Sequence, residues 1–344
     1  MKIDAPLNVA NALEAGPLAR DLEARGFDGA YTFDGRTDPF LPLAFAAEHT
    51  QRMELITAIA VAFARNPMVV AQLGNDLQTL SKGRFILGLG SQIKVHIEKR
   101  FSMPWSAPAA RMREFVLALR AIWEGWQKGT PLNFRGEFYT HTLMPPLLAP
   151  PPNPYGPPRV FLAGVGPAMT EVAGEVADGY LVHPFHSAAY LEQLALPALD
   201  RGLAKRGSKR EDMEISCQIL VGAGRNSAEL EQARDAMRAQ VAFYASTPAY
   251  LPVLESVDRA GLHGELNALS KQGRWAEMAT RIDDELLDAV AIIGTPEEAA
   301  QAIVSRYRGT MDRISPTGYI ADPTLAAEVV SALGRAMNTS KETA

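Results

Sequence analysis

Two hydrophobic periods alternate along most of this chain. Short apolar runs bounded by Gly, Asp or Pro predict buried strands, and stretches with apolar residues three and four apart predict amphipathic helices. Strands are predicted over residues 2–8, 30–33, 53–61, 85–89, 160–163, 179–182, 214–221 and 312–319. Pro6 weakens the first, because it cannot donate to a ladder. Helices are predicted over 13–25, 39–50, 67–80, 109–126, 168–177, 188–206 and 323–337, and one more opens at Thr295-Pro296-Glu297-Glu298. The starts carry capping chemistry: Asp38 before Pro39, Asn66 before Pro67, and Thr295 before Pro296 with acids in the first turn. Regularity fails in three places. Residues 91–108 form an irregular stretch with His96, Phe101 and Trp105. Residues 129–158 are proline-rich with a hairpin signal at 132–141, and residues 226–287 are helical without a convincing strand. Residues 338–344 read as a frayed tail.

Eight strands alternating with helices predict a single (β/α)8 TIM barrel over residues 1–344. Insertions follow strands 4 and 7, the second a helical one over about 226–290. The alternative is an open doubly wound sheet, for which no dinucleotide fingerprint is present. A barrel places its chemistry at the C-terminal strand ends. That selects Asn8, Asp34 with Arg36, residues 57–61, 90–92 and 164–166, and the segment from His183 to His186.

Composition narrows the partners. The chain is 47% hydrophobic and 21% charged, with a net charge of -5 and no long basic run, so nucleic acid is an unsuitable partner. The one cysteine, Cys217, sits in an apolar run and reads as a buried structural thiol of a reducing compartment. No signal peptide or membrane span is expected, so a cytoplasmic enzyme with a small-molecule substrate is.

Two Gly-x-Gly turns end predicted strands: Gly88-Leu89-Gly90-Ser91 and Gly164-Val165-Gly166-Pro167. Neither is a P-loop, since no Gly-Lys-Ser/Thr follows, and Met169 stands where a dinucleotide fingerprint needs its third glycine. The second turn feeds a helix start, whose free N–H groups suit a phosphate. Close helix–strand packing is the other use of such glycines.

In the order and spacing of its motifs the chain resembles the bacterial luciferase-like family of flavin- and deazaflavin-dependent oxidoreductases. The resemblance rests on Gly26-Phe27-Asp28-Gly29-Ala30-Tyr31 with Asp34, Arg65-Asn66-Pro67, Ser81-Lys82-Gly83-Arg84-Phe85, Arg113-Glu114-Phe115, Phe134-Arg135-Gly136-Glu137-Phe138-Tyr139 and Val176-Ala177-Asp178-Gly179. The branch it looks closest to uses coenzyme F420, with FMN as the alternative cofactor. The resemblance implies hydride transfer between F420 and a small organic substrate. The alternatives are an FMN-dependent monooxygenase, a non-catalytic cofactor carrier, and a phosphate-substrate barrel without a redox cofactor. It also implies a homodimer through the helices at 39–50 and 67–80.

Site residues follow. The resemblance implies a cis peptide at Ala58-Ile59 behind the cofactor ring, polar ring contacts from Gly90, Ser91 and Gln92, and phosphate contacts from Gly164, Val165 and Gly166. Asp34 is the candidate acid–base group, although Gly35 stands where many relatives carry histidine; a turn residue, or a partner for Arg36, is its plainer role. His183 is a candidate for proton transfer or phosphate bonding, with solvated loop histidines as the alternative for it and His186. Arg36, Phe101, Trp105 and His186 are candidates for the substrate pocket. His96 with Glu98 lacks the partners a metal needs, so no metal is expected.

Overall fold

The computed structural model describes residues 1–320 and 323–339, so most of the tail expected at 338–344 falls outside the described residues. Strands and helices alternate, and the main strands are parallel, as in a (β/α)8 barrel. By internal contacts the chain divides into two compact units, Lys2–Leu181 with Ala198–Glu214, and Val182–Pro197 with the chain from Ile215 onward.

The first unit carries β1 (Lys2–Pro6), β2 (Gly29–Thr32), β3 (Glu54–Thr57), β4 (Phe85–Gly90), β5 (Arg159–Ala163) and most of β6 (Gly179–Val182). Their register sets Ala5 beside Ala30, Ala30 beside Leu55, Leu55 beside Phe85, Leu87 beside Val160, and Phe161 beside Gly179. Every residue of β2 and β4 is buried, as strands covered on both faces require. Tyr31, Ile56, Ile86, Phe161 and Leu181 form a core cluster, against which the half-buried Ala58, Ile59 and Ala163 pack.

One ladder detail fixes the local shape. A Cβ on Gly88 would lie 1.8 Å from the Thr57 carbonyl oxygen, so only glycine allows β3 and β4 to approach there. The Thr57 hydroxyl spans the same gap, donating to the Gly88 carbonyl at 2.8 Å and accepting its N–H at 2.9 Å. The strand predicted over 53–61 is accordingly broken. β3 stops at Thr57, the Ala58–Ile59 peptide is cis, and a short strand Ala60–Val61 resumes pairing with β4.

Around these strands lie α1 (Ala15–Ala24), α2 (Leu41–His49), α3 (Pro67–Leu80), α4 (Pro108–Lys128) and α5 (Pro167–Val176). Asn66 caps α3 as predicted, its side chain accepting the Val69 N–H at 3.0 Å. α2 begins two residues later than the proline signal indicated. Asp38 instead receives the Phe40 and Leu41 N–H groups at 2.8 and 3.2 Å and closes a turn ahead of the helix. The helix predicted over 188–206 resolves into Ala188–Tyr190, a π-turn Leu191–Ala195 and α6 (Leu196–Lys205). Pro197, which lacks an N–H, breaks the ladder there.

In the second unit β7 (Glu214–Ala223, from Ile215 on) pairs with β8 (Arg313–Thr317), Cys217 opposite Ile314. The insertion contains α7 (Ser227–Ala245) and several short helices, then a parallel strand Ala291–Gly294 that pairs with the end of β7. Sequence pattern missed that strand because it is only Ala-Ile-Ile-Gly long. α8 (Pro296–Tyr307) starts with the predicted Thr295–Glu298 capping box, and α9 (Pro323–Thr339) follows β8. Cys217 is fully buried, as the sequence implied. No helix among the described residues is long and apolar enough to cross a membrane.

Candidate functional site

The C-terminal ends of β2, β3 and β4 meet around the cis bulge. The Asp34 N–H donates to the Ile59 carbonyl at 2.9 Å, and the Ala58 N–H to the Thr32 carbonyl at 2.6 Å. The Asp34 carboxylate does not pair with Arg36. It accepts the Val61 N–H at 2.9 Å and forms an ion pair with Arg65, whose guanidinium also reaches Asp38 at 3.0 Å and the Val61 carbonyl at 3.1 Å. With a side chain only 7% exposed, Asp34 clasps the bulge to the loop after β2 instead of standing free at the mouth. Nothing in the sequence marks Arg65 as Asp34's partner, because the two meet through the fold. Arg36 is exposed.

The loop after β4 runs through Ser91 and Gln92 into a short helix, Lys94–Lys99. Gln92 has φ of +60°, and its Oε1 accepts the neighbouring Ile93 N–H at 2.9 Å, with no acceptor for its amide nitrogen among the described residues. The Ser91 hydroxyl donates to the Gln92 carbonyl at 3.1 Å. Gly90 is shaped by packing: a Cβ there would meet Ile59 Cδ1 at 2.9 Å. Phe101 is half-buried beneath the Arg100 guanidinium, 4.9 Å from its ring centre. Trp105 packs edge-on against Phe63, the residue group following the bulge, with ring centres 5.7 Å apart. Arg111 secures this wall. Its guanidinium lies 4.6 Å from the Phe63 ring centre and donates to the Pro104 carbonyl at 2.7 Å and the Tyr139 hydroxyl at 2.9 Å. Glu114 accepts the backbone N–H groups of Glu137, Phe138 and Tyr139 at 2.8, 2.7 and 2.6 Å, fixing the hairpin that supplies Tyr139.

The turn between β5 and α5 is open where a ligand phosphate would need it. A Cβ on Gly166 would meet nothing within 4 Å, whereas one on Gly164 would strike Met169 Cγ at 2.8 Å. Neither glycine has a positive φ, so their use is close approach and not left-handed backbone. The Tyr180 hydroxyl holds the Gly164 carbonyl at 2.6 Å. Pro167 has no N–H, and the Thr170 N–H is spent on the Gly166 carbonyl at 3.1 Å, so the Ala168 and Met169 N–H groups are the free donors at the positive end of α5. Bare backbone at Gly166, with the half-buried Ala58, Ile59 and Ala163 at the strand ends, is compatible in chemistry with a flat ring bearing a phosphate.

The second unit corrects the histidine expectations. His186 is enclosed, and His183 is only partly exposed. His183 accepts the Phe185 N–H on Nδ1 at 3.1 Å, so its Nε2–H donates to the Tyr250 hydroxyl at 2.9 Å, and the two rings stack with centres 4.3 Å apart. His186 is 1% exposed; its Nδ1–H donates to the His183 carbonyl at 2.8 Å, and Nε2 accepts from Tyr307 at 2.9 Å. Burial, reinforced for His183 by the neighbouring His186, lowers their pKa values to about 3 and about 4. Both are neutral at physiological pH. With its nitrogens engaged and its ring enclosed, His186 does not line a substrate pocket. Among the described residues no group of three or more His, Cys, Asp or Glu is placed to hold a metal. A groove of about 500 Å³ between α3, α4 and Leu147–Pro150 lies on the outer helical layer, not at the strand ends.

The family model described as luciferase-like monooxygenase matches residues 4–313. An uncharacterised protein of Mycobacterium tuberculosis is 56% identical, covering 92% of this chain and 93% of its own. The 5,10-methylenetetrahydromethanopterin reductase of Archaeoglobus fulgidus is 26% identical over 82% of each chain. The coenzyme F420-dependent tetrahydromethanopterin reductase of Methanopyrus kandleri superposes with a TM-score of 0.78, 18% identity and 96% coverage of both chains. The oxygenating constituent of 3,6-diketocamphane monooxygenase of Pseudomonas putida, solved with FMN, gives 0.67 at 15% identity and 96% coverage of both. These likenesses bear out the barrel fold.

Proposed function

The chain belongs to the luciferase-like monooxygenase family, and from that premise we propose that it is an F420-dependent oxidoreductase moving a hydride between the deazaflavin and a small organic substrate. The observation that carries the reading is the open backbone at Gly166, at the start of α5 and in the same unit as the half-buried Ala58–Ile59 floor. The F420-dependent reductase that shares the fold supports the deazaflavin reading.

Each part of the strand-end site has one task in this reading. Gly164, Val165, Gly166 and the first α5 N–H groups hold the phosphate. Ala58 and Ile59 back the ring, and the free amide nitrogen of Gln92 addresses its polar edge. Bound deazaflavin supplies the carbon that gives or takes hydride. Phe63, Trp105 and Phe101 form an apolar wall that excludes water. Asp34, held by Arg65, keeps the bulge and the loop after β2 in register; this is a positioning role, and the free acid–base role is set aside. His183 does not serve as a proton donor in this reading, since with a pKa near 3 it is a neutral imidazole and not an imidazolium at neutral pH. Exposed Leu41 and Val69 on α2 and α3 support the expected homodimer.

Fluorescence titration with F420, FMN and FAD, oxidised and reduced, tests the cofactor. We expect F420 to bind at least about tenfold more tightly than FMN, a difference of about 1.4 kcal/mol. Preference for reduced FMN together with oxygen uptake would assign the monooxygenase reading instead. Tight F420 binding without turnover of its absorbance on any alcohol, aldehyde or enone offered would assign a carrier.

A further inference from the structure

We propose that the loops after β2 and β4 form an anion-recognising rim, and that the substrate is a small organic anion whose carboxylate or phosphate is held by Arg36, Lys99 and Arg100. The proposal deepens the reading above and rests on its placement of the active site at these strand ends.

Three observations carry it. First, the cations are brought together by the fold. Arg100 reaches from the end of the Lys94–Lys99 helix to the Gly35 carbonyl at 2.5 Å, the backbone immediately before Arg36, and Lys99 precedes Arg100 in the chain. All three side chains are exposed. Second, the nearby acids are already committed. Asp34 and Asp38 are paired with Arg65, and Glu98 faces Lys94 at 3.8 Å. Among the described residues no carboxylate lies within ion-pair distance of Arg36, Lys99 or Arg100, in a chain whose net charge is -5. Third, the rim adjoins the reacting floor. Asp34, two residues before Arg36, is bonded through its N–H to the Ile59 carbonyl at 2.9 Å.

A set of solvated cations is the plainer account, and it leaves the anchoring of Arg100 unexplained. Its guanidinium is fixed both by the Gly35 carbonyl and by the Phe101 ring, so ordering entropy is already spent before a ligand arrives. A guanidinium with donors left over, on a rim that also carries Arg36 and Lys99, matches the planar oxygens of a carboxylate or phosphate. Exposed charges of one sign on this rim also raise the local concentration of an anionic substrate.

The test is calorimetric titration of the full chain with citrate and with pyrophosphate, at an ionic strength held constant with potassium chloride. The variants are Arg36→Gln with Lys99→Gln, which break no contact within the protein, and Arg100→Lys, which keeps charge. We expect saturable binding to wild type, weakened at least about fivefold in the double variant, the scale of one or two exposed ion pairs. We expect it to be weakened in Arg100→Lys as well, which keeps the charge but loses the planar fork, with the melting temperature of the double variant unchanged. Equal affinity in wild type and double variant, or heats that follow ionic strength alone, would overturn the proposal. So would a double variant that loses F420 affinity while anion binding is unchanged. The anion is read without cofactor, so a chain that binds no deazaflavin yet loses citrate in the double variant would refute the F420 reading and keep this one.

Discussion

Two glycines in one turn meet different surroundings, and that difference makes them separable by mutation. Gly166 faces open space, so Gly166→Ala leaves the fold intact and puts a methyl where a phosphate would sit. We expect its melting temperature to stay within about 1 °C of wild type, as for a surface change that touches nothing, while cofactor affinity falls at least about tenfold. Gly164→Val must displace Met169 and is expected to lose stability as well, by about 1–3 kcal/mol. Equal cofactor affinity in folded Gly166→Ala would remove the phosphate assignment. Asp34 is argued at the same scale. Its carboxylate serves the Val61 N–H and Arg65 at once, so Asp34→Ala leaves a backbone donor and a half-buried guanidinium short of a partner. We expect a loss of about 1–3 kcal/mol, smaller in Asp34→Asn, which can still accept the N–H. Turnover per folded molecule should fall only as far as the bulge shifts. An unchanged melting temperature with kcat abolished would restore the acid–base role to this residue.

Four strand starts in the first unit build a closed ring of charge. Lys2, Glu54, Arg159 and Glu214 are the first residues of β1, β3, β5 and β7. Lys2 reaches Glu54 at 2.8 Å and Glu214 at 3.1 Å; Arg159 reaches Glu214 at 2.5 Å and also pairs with Glu54. Barrels fill their interior in layers of four side chains from alternate strands, and here the N-terminal layer is ionic with alternating sign. Each carboxylate has two cations, so the ring acts as a network and not as isolated surface pairs. Glu54→Gln, at a side chain 17% exposed, is expected to cost about 1–3 kcal/mol. Urea denaturation at low and at high salt measures it. The gap between wild type and variant should narrow at 1 M salt, where the screening length is about 3 Å. A gap independent of salt would mean that packing, not charge, gives the ring its value.

For the molecule as a whole, the paired histidines, His183 and His186, set an acid limit. Their folded pKa values, about 3 for His183 and about 4 for His186, lie below the ordinary value of 6.5. Between pH 6.5 and about 4 the unfolded chain therefore binds protons that the folded chain does not. Stability is fully present above pH 6.5 and falls on acidification through that window. His183→Gln and His186→Gln should flatten the slope of stability against pH between 4 and 6.5 while lowering stability at pH 7, where each removes hydrogen bonds. Chemical denaturation at half-unit pH intervals checks this. An unchanged slope in both variants would show that other groups control the acid transition.

The alternation of strands and helices was legible from hydrophobic period alone, because buried parallel strands and one-sided helices leave different spacings in a sequence. Element ends followed where a local rule governs them, as at Asn66 and Thr295. The family was legible from the order of its motifs, and with it the neighbourhood of the site. Partnerships across the fold were not. Arg65 lies 31 positions from Asp34, Tyr250 lies 67 from His183, and Tyr307 lies 121 from His186. No period or spacing records such pairs; they exist only once the strands bring their ends together. The same holds for burial of polar groups. His183 and His186 read as loop histidines because a Pro-Phe step between them resembles solvent-exposed chain, and only packing against Tyr250 and Tyr307 keeps them neutral on acidification. Sequence thus determined which residues stand at the strand ends. Tertiary structure decided which of them are free to meet a ligand, because only the folded chain settles which charges and hydrogen bonds are already taken.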